Sequence, residues 1–262
     1  MKKNLLRIAL LIITFSLSLN SFADNKGDVY TDGLRTLMKN GAINVLNSSQ
    51  LSKLAASTGG NAEQFFEDLI EISAPYYRNN MSEEEFKQMV AFYQKPEITA
   101  ITKKIVNGNN LSQEQMMQDI MPKMMQMMQG GTVEPIKVEG CSDEFIEAFN
   151  RFYSLSNGDK AMNGTFDFLK QKFEGMKQSI PAMQQGAVMD ALNKLVSFMK
   201  ENIKPVTMMI LSKSLTVDDL NTVCSVTNEP FYPALQKTND AIAADIPVLM
   251  QKIMGKINIP GM

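Results

Sequence analysis

Apolar residues recur along most of the chain at intervals of three and four, the spacing of one helix face. Such runs cover Tyr30 to Leu46, Asn61 to Tyr77, Asp143 to Leu155, Thr165 to Met176 and Pro181 to Asn202. Asn, Asp, Ser or Pro stands near most of their starts, where the free N–H groups of a helix need an acceptor or a residue without a donor. No run alternates with period two between hairpin turns, so strands are at most incidental. The pattern predicts an all-α chain of roughly ten to twelve helices. At 262 residues it is long enough to bury a substantial core without metals or many disulfides.

Two stretches repeat. MSEEEFKQMVAFYQKPEITA at 81–100 aligns without gaps with LTVDDLNTVCSVTNEPFYPA at 215–234, an offset of 134. In each, a hydroxyl residue precedes an acid by three positions, Ser82 with Glu85 and Thr216 with Asp219, which predicts a capping box or a close variant at a helix start. The helices that follow carry Phe86, Met89, Val90 and Tyr93 in one copy and Leu220, Val223, Cys224 and Thr227 in the other. Each is expected to stop before a proline, Pro96 or Pro230, that opens the next helix. A second match pairs PKMMQMMQG at 122–130 with PVLMQKIMG at 247–255, each read as a new helix with Pro in its first turn. The expected organisation is two related helical units packed together, residues 28–131 and 142–256, joined by a connector at 132–141.

Ahead of these units, residues 1–23 read as a secretory signal peptide. Lys2, Lys3 and Arg7 form the charged start, Ile8 to Leu19 the apolar stretch, and Ser21-Phe22-Ala23 the small-residue cleavage site. The apolar run falls well short of the roughly 20 residues that span a bilayer, and no later stretch qualifies. Cleavage after Ala23 leaves a soluble mature chain in the periplasm or outside the cell. It removes three bases and no acid, moving the net charge from −2 to −5. Phosphate neutralisation supplies most nucleic-acid affinity, so this balance disfavours a nucleic-acid partner.

Composition narrows the chemistry. The chain has no His, which removes imidazole general bases and metal sites that depend on imidazole. Its two cysteines, Cys141 and Cys224, form the even count expected of one disulfide in an exported protein; the alternative is two free thiols, with Cys224 on an apolar helical stripe. A bridge would close a loop of more than 80 residues and contribute about 4 kcal/mol. Ser197-Phe198-Met199-Lys200 lacks the partner motifs that make S-x-x-K catalytic. The acids Glu83, Glu84, Glu85, Asp218 and Asp219 suit the positive end of a capped helix better than acid–base work. Neither thiol has a His to activate it. No catalytic residue, cofactor site or phosphate loop emerges.

Methionine invites a sharper reading, because seven of the chain's 21 fall at Met116, Met117, Met121, Met124, Met125, Met127 and Met128. Three readings stand side by side: core filler, an adaptable apolar binding surface, or a soft thioether site for Cu(I) or Ag(I). In the second copy Leu249 and Ile253 stand where the first has Met124 and Met128, while Met125 recurs as Met250; a core accepts such exchanges and a ligand set does not.

The segments Ser82-Glu83-Glu84-Glu85, Val90-Ala91-Phe92-Tyr93-Gln94-Lys95-Pro96 and Met121-Pro122-Lys123-Met124-Met125-Gln126 resemble the family called domain of unknown function 2059. The likeness covers about 50 residues of the first copy and a looser stretch of the second, where Thr227-Asn228-Glu229-Pro230 departs from the pattern. The resemblance implies an all-helical exported bacterial protein, a Gram-negative envelope or secreted location, and no catalytic residues. The expectation is a non-enzymatic binding or interaction protein with no cofactor. Its partner is an envelope protein or apolar ligand, met by a surface that includes Phe92, Met121, Met124, Met125 and Met128. A soft-metal role and a purely structural role are the alternatives.

Overall fold

The computed structural model describes residues 28–38, 62–105, 122–123, 125–126, 133–175 and 182–256, and every described regular element is helical. The signal segment 1–23 lies outside the described residues, as do Met121, Met124 and Met128. The helices are α1 (Val29–Met38), α2 (Ala62–Asn80) and α3 (Glu83–Tyr93). Residues 96–105 form α4, with Pro96 as its first residue. After residues 133–140 come α5 (Asp143–Leu155), α6 (Gly158–Gly175), α7 (Ala182–Leu211) and α8 (Val217–Cys224). A 3-10 turn at Ser225–Asn228 leads to α9 (Tyr232–Ala244) and α10 (Ile246–Lys256). No helix among the described residues is long and apolar enough to cross a membrane.

Both capping boxes form. Ser82 Oγ accepts from the Glu85 amide at 3.3 Å while Glu85 Oε2 accepts from the Ser82 amide at 2.8 Å. Thr216 Oγ1 accepts from the Asp219 amide at 3.1 Å, and Asp219 Oδ2 accepts from the Thr216 amide at 2.9 Å. Each satisfies two donors that the first helical turn otherwise leaves open. The second copy then departs from the first. Ser225 and Thr227 hydroxyls donate back to the carbonyls of Thr222 and Cys224, α8 tightens into a 3-10 turn, and Pro230 falls in the turn before α9. The proline in the first turn of α9 is Pro233, so the expectation for Pro230 is corrected by one short insertion of tighter helix.

Two other boundaries differ from the periodicity. Helix α6 begins at Gly158, ahead of the expected Thr165. Its first turns contain Gly158 and Gly164, poor helix formers, yet both are close-approach positions. A Cβ on Gly158 would lie 2.5 Å from the Tyr153 ring, and one on Gly164 would lie 2.9 Å from Ile246. Packing against neighbours outweighs propensity here. The chain reaches Gly158 through Asn157, the one described non-glycine residue in the left-handed region, at φ 52°, a conformation Asn tolerates. Helix α7 continues past the expected end at Asn202 and through Pro205 to Leu211, with Ile203, Val206 and Ile210 buried in one core and Met208 and Leu211 in another.

Three apolar cores organise the described chain. The first joins α1, α2 and α3 through Leu34, Ile70, Tyr77 and Phe86, and is completed by Val226, Phe231 and Leu235 from the other end of the sequence. The second joins α5, the end of α7 and α8 through Phe149, Met208, Leu211 and Leu220, and is completed by Ile101 and Ile105 of α4. The third lies between α6 and α7 and takes in Val133 and Ile136 of the connector. Asn202, fully buried on α7, holds that connector: its Nδ2 donates to the Phe198 carbonyl at 2.7 Å and its Oδ1 accepts from the Ile136 amide at 2.6 Å. Helix α10 packs on α6 and α2, where the Tyr76 hydroxyl donates to Asp245 at 2.9 Å.

The bridge expected between Cys141 and Cys224 is not formed; both are free thiols. Cys141 precedes Ser142, the N-cap of α5, whereas Cys224 sits beside Arg151 further along the same helix.

These contacts give two expectations. Asp219 is partly buried, which opposes its charge, but Lys104 at 2.8 Å and the Thr216 amide and hydroxyl outweigh burial and hold it below its ordinary 3.8. A carboxyl depressed in the folded state contributes stability above its unfolded value and loses it as pH falls through the folded one. Denaturant unfolding should therefore show Thr216→Ala less stable by about 1 kcal/mol and Asp219→Asn with a flatter acid limb below pH 3.8. Asn202→Leu should cost about 1–3 kcal/mol by stranding the Ile136 amide and should speed tryptic cleavage after Lys137.

Candidate binding surface

Of the five residues expected to form one apolar surface, Phe92 and Met125 lie among the described residues, and they differ sharply in exposure. Phe92 is 2% exposed and belongs to the first core, 5.3 Å from the Tyr93 ring and 6.0 Å from the Phe231 ring, both edge-on. Lys95 covers it, with Nζ 4.4 Å from the ring centroid and 3.1 Å from Glu229 Oε1. In this arrangement Phe92 packs; it offers no face to a ligand. The sequence placed it on an apolar helix, and an apolar residue at helical spacing is normally core.

Met125 lies at the other extreme, 55% exposed. Methionines elsewhere serve as filler: Met38, Met81, Met89, Met162, Met199 and Met208 are all buried, as expected of a flexible side chain that adapts to irregular gaps. The second exposed large apolar residue is Val248, at 47%, which the sequence reading did not single out. It sits in the first turn of α10 beside Pro247, while Ile246, Leu249 and Ile253 of the same helix turn inward. Met125 and Val248 thus fall in the two Pro-led segments, 122–130 and 247–255, that match each other in sequence. Position by position, however, Met125 aligns with Met250 and Val248 with Lys123, so the sequence carried no signal for Val248.

The charged and reactive groups arrange as structure. Glu85 is held below its usual value by the Ser82 amide and hydroxyl, and the Arg35 guanidinium is gripped by Glu67 at 2.8 Å and Asp32 at 3.1 Å. Burial pushes the Cys224 thiol up, though Arg151 opposes this, so the thiol lacks the activation a nucleophile needs. Tyr76 is pushed up to about 12, first by burial and then by its bond to Asp245. The Tyr153 hydroxyl is the buried side-chain polar atom among the described residues that has no hydrogen-bond partner, with Lys204 over its ring at 5.1 Å. No group of three or more His, Cys, Asp or Glu side chains converges among the described residues.

Neither a curated protein nor a solved structure matches the chain. A family model does match, over a span that runs from within α2 through α3 and α4 and includes the exposed Met125. It covers the segments 82–96 and 121–126 on which the resemblance rests, and leaves the second copy outside. Residues 67–130 are thus identified as a segment of the family described as an uncharacterized protein conserved in bacteria (DUF2059).

Proposed function

We propose that the chain is an exported protein of the bacterial envelope that acts by binding and not by catalysis, through an apolar surface carried by its two Pro-led segments. The partner is an envelope protein presenting an apolar segment. One observation carries this reading: the two exposed large apolar side chains among the described residues, Met125 and Val248, lie in corresponding segments. Apolar residues scattered singly on a surface need no explanation; two in matched segments do. Methionine at one of them suits a partner surface that is not tightly specified in shape, because the thioether chain repacks at low cost. The absence of His and the structural use of the acids support binding over chemistry. Export rests on residues 1–23.

The test uses ANS as the apolar probe. The folded full chain should bind it saturably, and Met125→Gln with Val248→Ser should weaken that binding at least five-fold, an order-of-magnitude expectation for removing two apolar anchors. No saturable binding, or binding untouched by both substitutions, would overturn the reading. Stoichiometric Cu(I) uptake under reducing conditions, lost in Met125→Leu, would replace it with soft-metal handling. Separately, protein recovered from the envelope fraction should begin at Asp24; a mature form that keeps residues 1–23 would remove the exported part of the account.

A further inference from the structure

The two sequence copies share a pattern of burial over more of the chain than the alignment covers. Positions 134 apart share burial upstream of the matched stretch as well as within it. Tyr77 and Leu211 are 2% and 0% exposed, Met81 and Leu215 both 4%, Phe86 and Leu220 both 0%, and Ile101 and Leu235 4% and 5%. The first helix of each copy follows suit at a different offset: Tyr30, Leu34, Leu37 and Met38 on α1, and Phe145, Phe149, Phe152 and Tyr153 on α5, are buried with the same spacing. Helix α1 packs on α3 as α5 packs on α8. The first two cores are therefore built from corresponding helices.

What completes each core comes from the other copy. Helix α4 follows α3 in sequence and starts in the first core with Ile98, but its later turns join the core of α5, α7 and α8 through Ile101 and Ile105, with Lys104 bonded to Asp219 at 2.8 Å. Helix α9 follows α8 but joins the core of α1, α2 and α3 through Leu235 and through Phe231, the residue that caps its start. Where the two crossings pass, Lys95 meets Glu229 at 3.1 Å, and those residues are themselves 134 apart. Two equivalent positions in direct contact lie close to the axis that relates the copies, and the reciprocal exchange of α4 and α9 is what a two-fold relation produces.

We propose that the chain is an intramolecular swapped pair: two copies related by a pseudo-two-fold axis near Lys95 and Glu229, each lending the helix after its crossing to the other's core. Like a swapped dimer held on one chain, this makes the two cores a single mechanical unit, so that loosening the lent helix loosens the receiving core. A partner seated on one copy is thereby coupled to the other, which gives the binding surface proposed above a route across the molecule. The exchange stands without that proposal, because it rests on packing alone.

Hydrogen exchange of the full-length chain, read by mass spectrometry, tests it. Ile101→Val should speed exchange in 143–155 and 217–224 about five-fold, the scale expected from deleting one buried methyl. Leu235→Ala should do the same or more in 29–38 and 83–93; if that variant fails to fold, Leu235→Met is the milder form. Acceleration in the opposite copy supports the exchange. Acceleration confined to 28–105 for the first variant and to 143–256 for the second would overturn it, and neither outcome bears on ANS binding by Met125 and Val248.

Discussion

Three short amphipathic helices leave one side of an apolar core open to water, and in this chain that side is closed by a helix from the far end of the sequence. Everything else follows from that burial. Leu34, Phe86 and Leu220 are completely enclosed, in cores that take in residues from both halves of the sequence. At roughly 25 cal/mol for each Å² of apolar surface removed from water, the lent helices supply the part of the burial that neither set of three could provide alone. The connector's anchoring on α7 through Asn202 and the docking of α10 on α6 and α2 add to a frame already set by the exchange.

The polar groups follow the same logic. Both capping boxes stand at the entrance to the helix just before each crossing, so the hydroxyl and acid of each fix the direction in which the chain leaves for the other copy. Lys104 reaches across to Asp219, a member of the second box, tying the lent helix α4 to the N-terminus of α8. Lys95 lies over Phe92 and pairs with Glu229. Exposed ion pairs contribute little to stability individually; here they specify which helix goes where.

Local features were legible in the sequence. Capping boxes at Ser82 and Thr216 and the bounds of α5 at Asp143–Leu155 depend on residues a few positions apart, and these formed as read. The start of α6 was not legible, because Gly158 and Gly164 are helix-poor by propensity and are selected by the close approach of Tyr153 and Ile246. Nor was the path of α7 through Pro205, since a proline normally ends a periodic run; here one core holds the helix on both sides of it through Ile203 and Val206, and a second takes Met208 and Leu211. Phe92 looked available and is covered, because periodicity says that a face is apolar without saying what packs on it. For the same reason the crossing of α4 and α9 could not be read: hydrophobic spacing marks the faces of these helices but not their partners. The cysteines illustrate a third limit, for their even count suggested a bridge and both stand as free thiols. Of the two exposed apolar residues, Met125 stood in the Met-rich segment, whereas Val248 emerged only once α10 turned Ile246 and Leu249 inward.

The exchange is most directly tested by zero-length carbodiimide cross-linking of the dilute monomer followed by peptide mapping. The account predicts amide cross-links joining Lys95 to Glu229 and Lys104 to Asp219, whose atoms stand 3.1 Å and 2.8 Å apart, at yields no lower than the local pair Lys194 and Asp190 on α7. Cross-links restricted to pairs within one copy, such as Lys87 with Glu83 and Lys194 with Asp190, would contradict it.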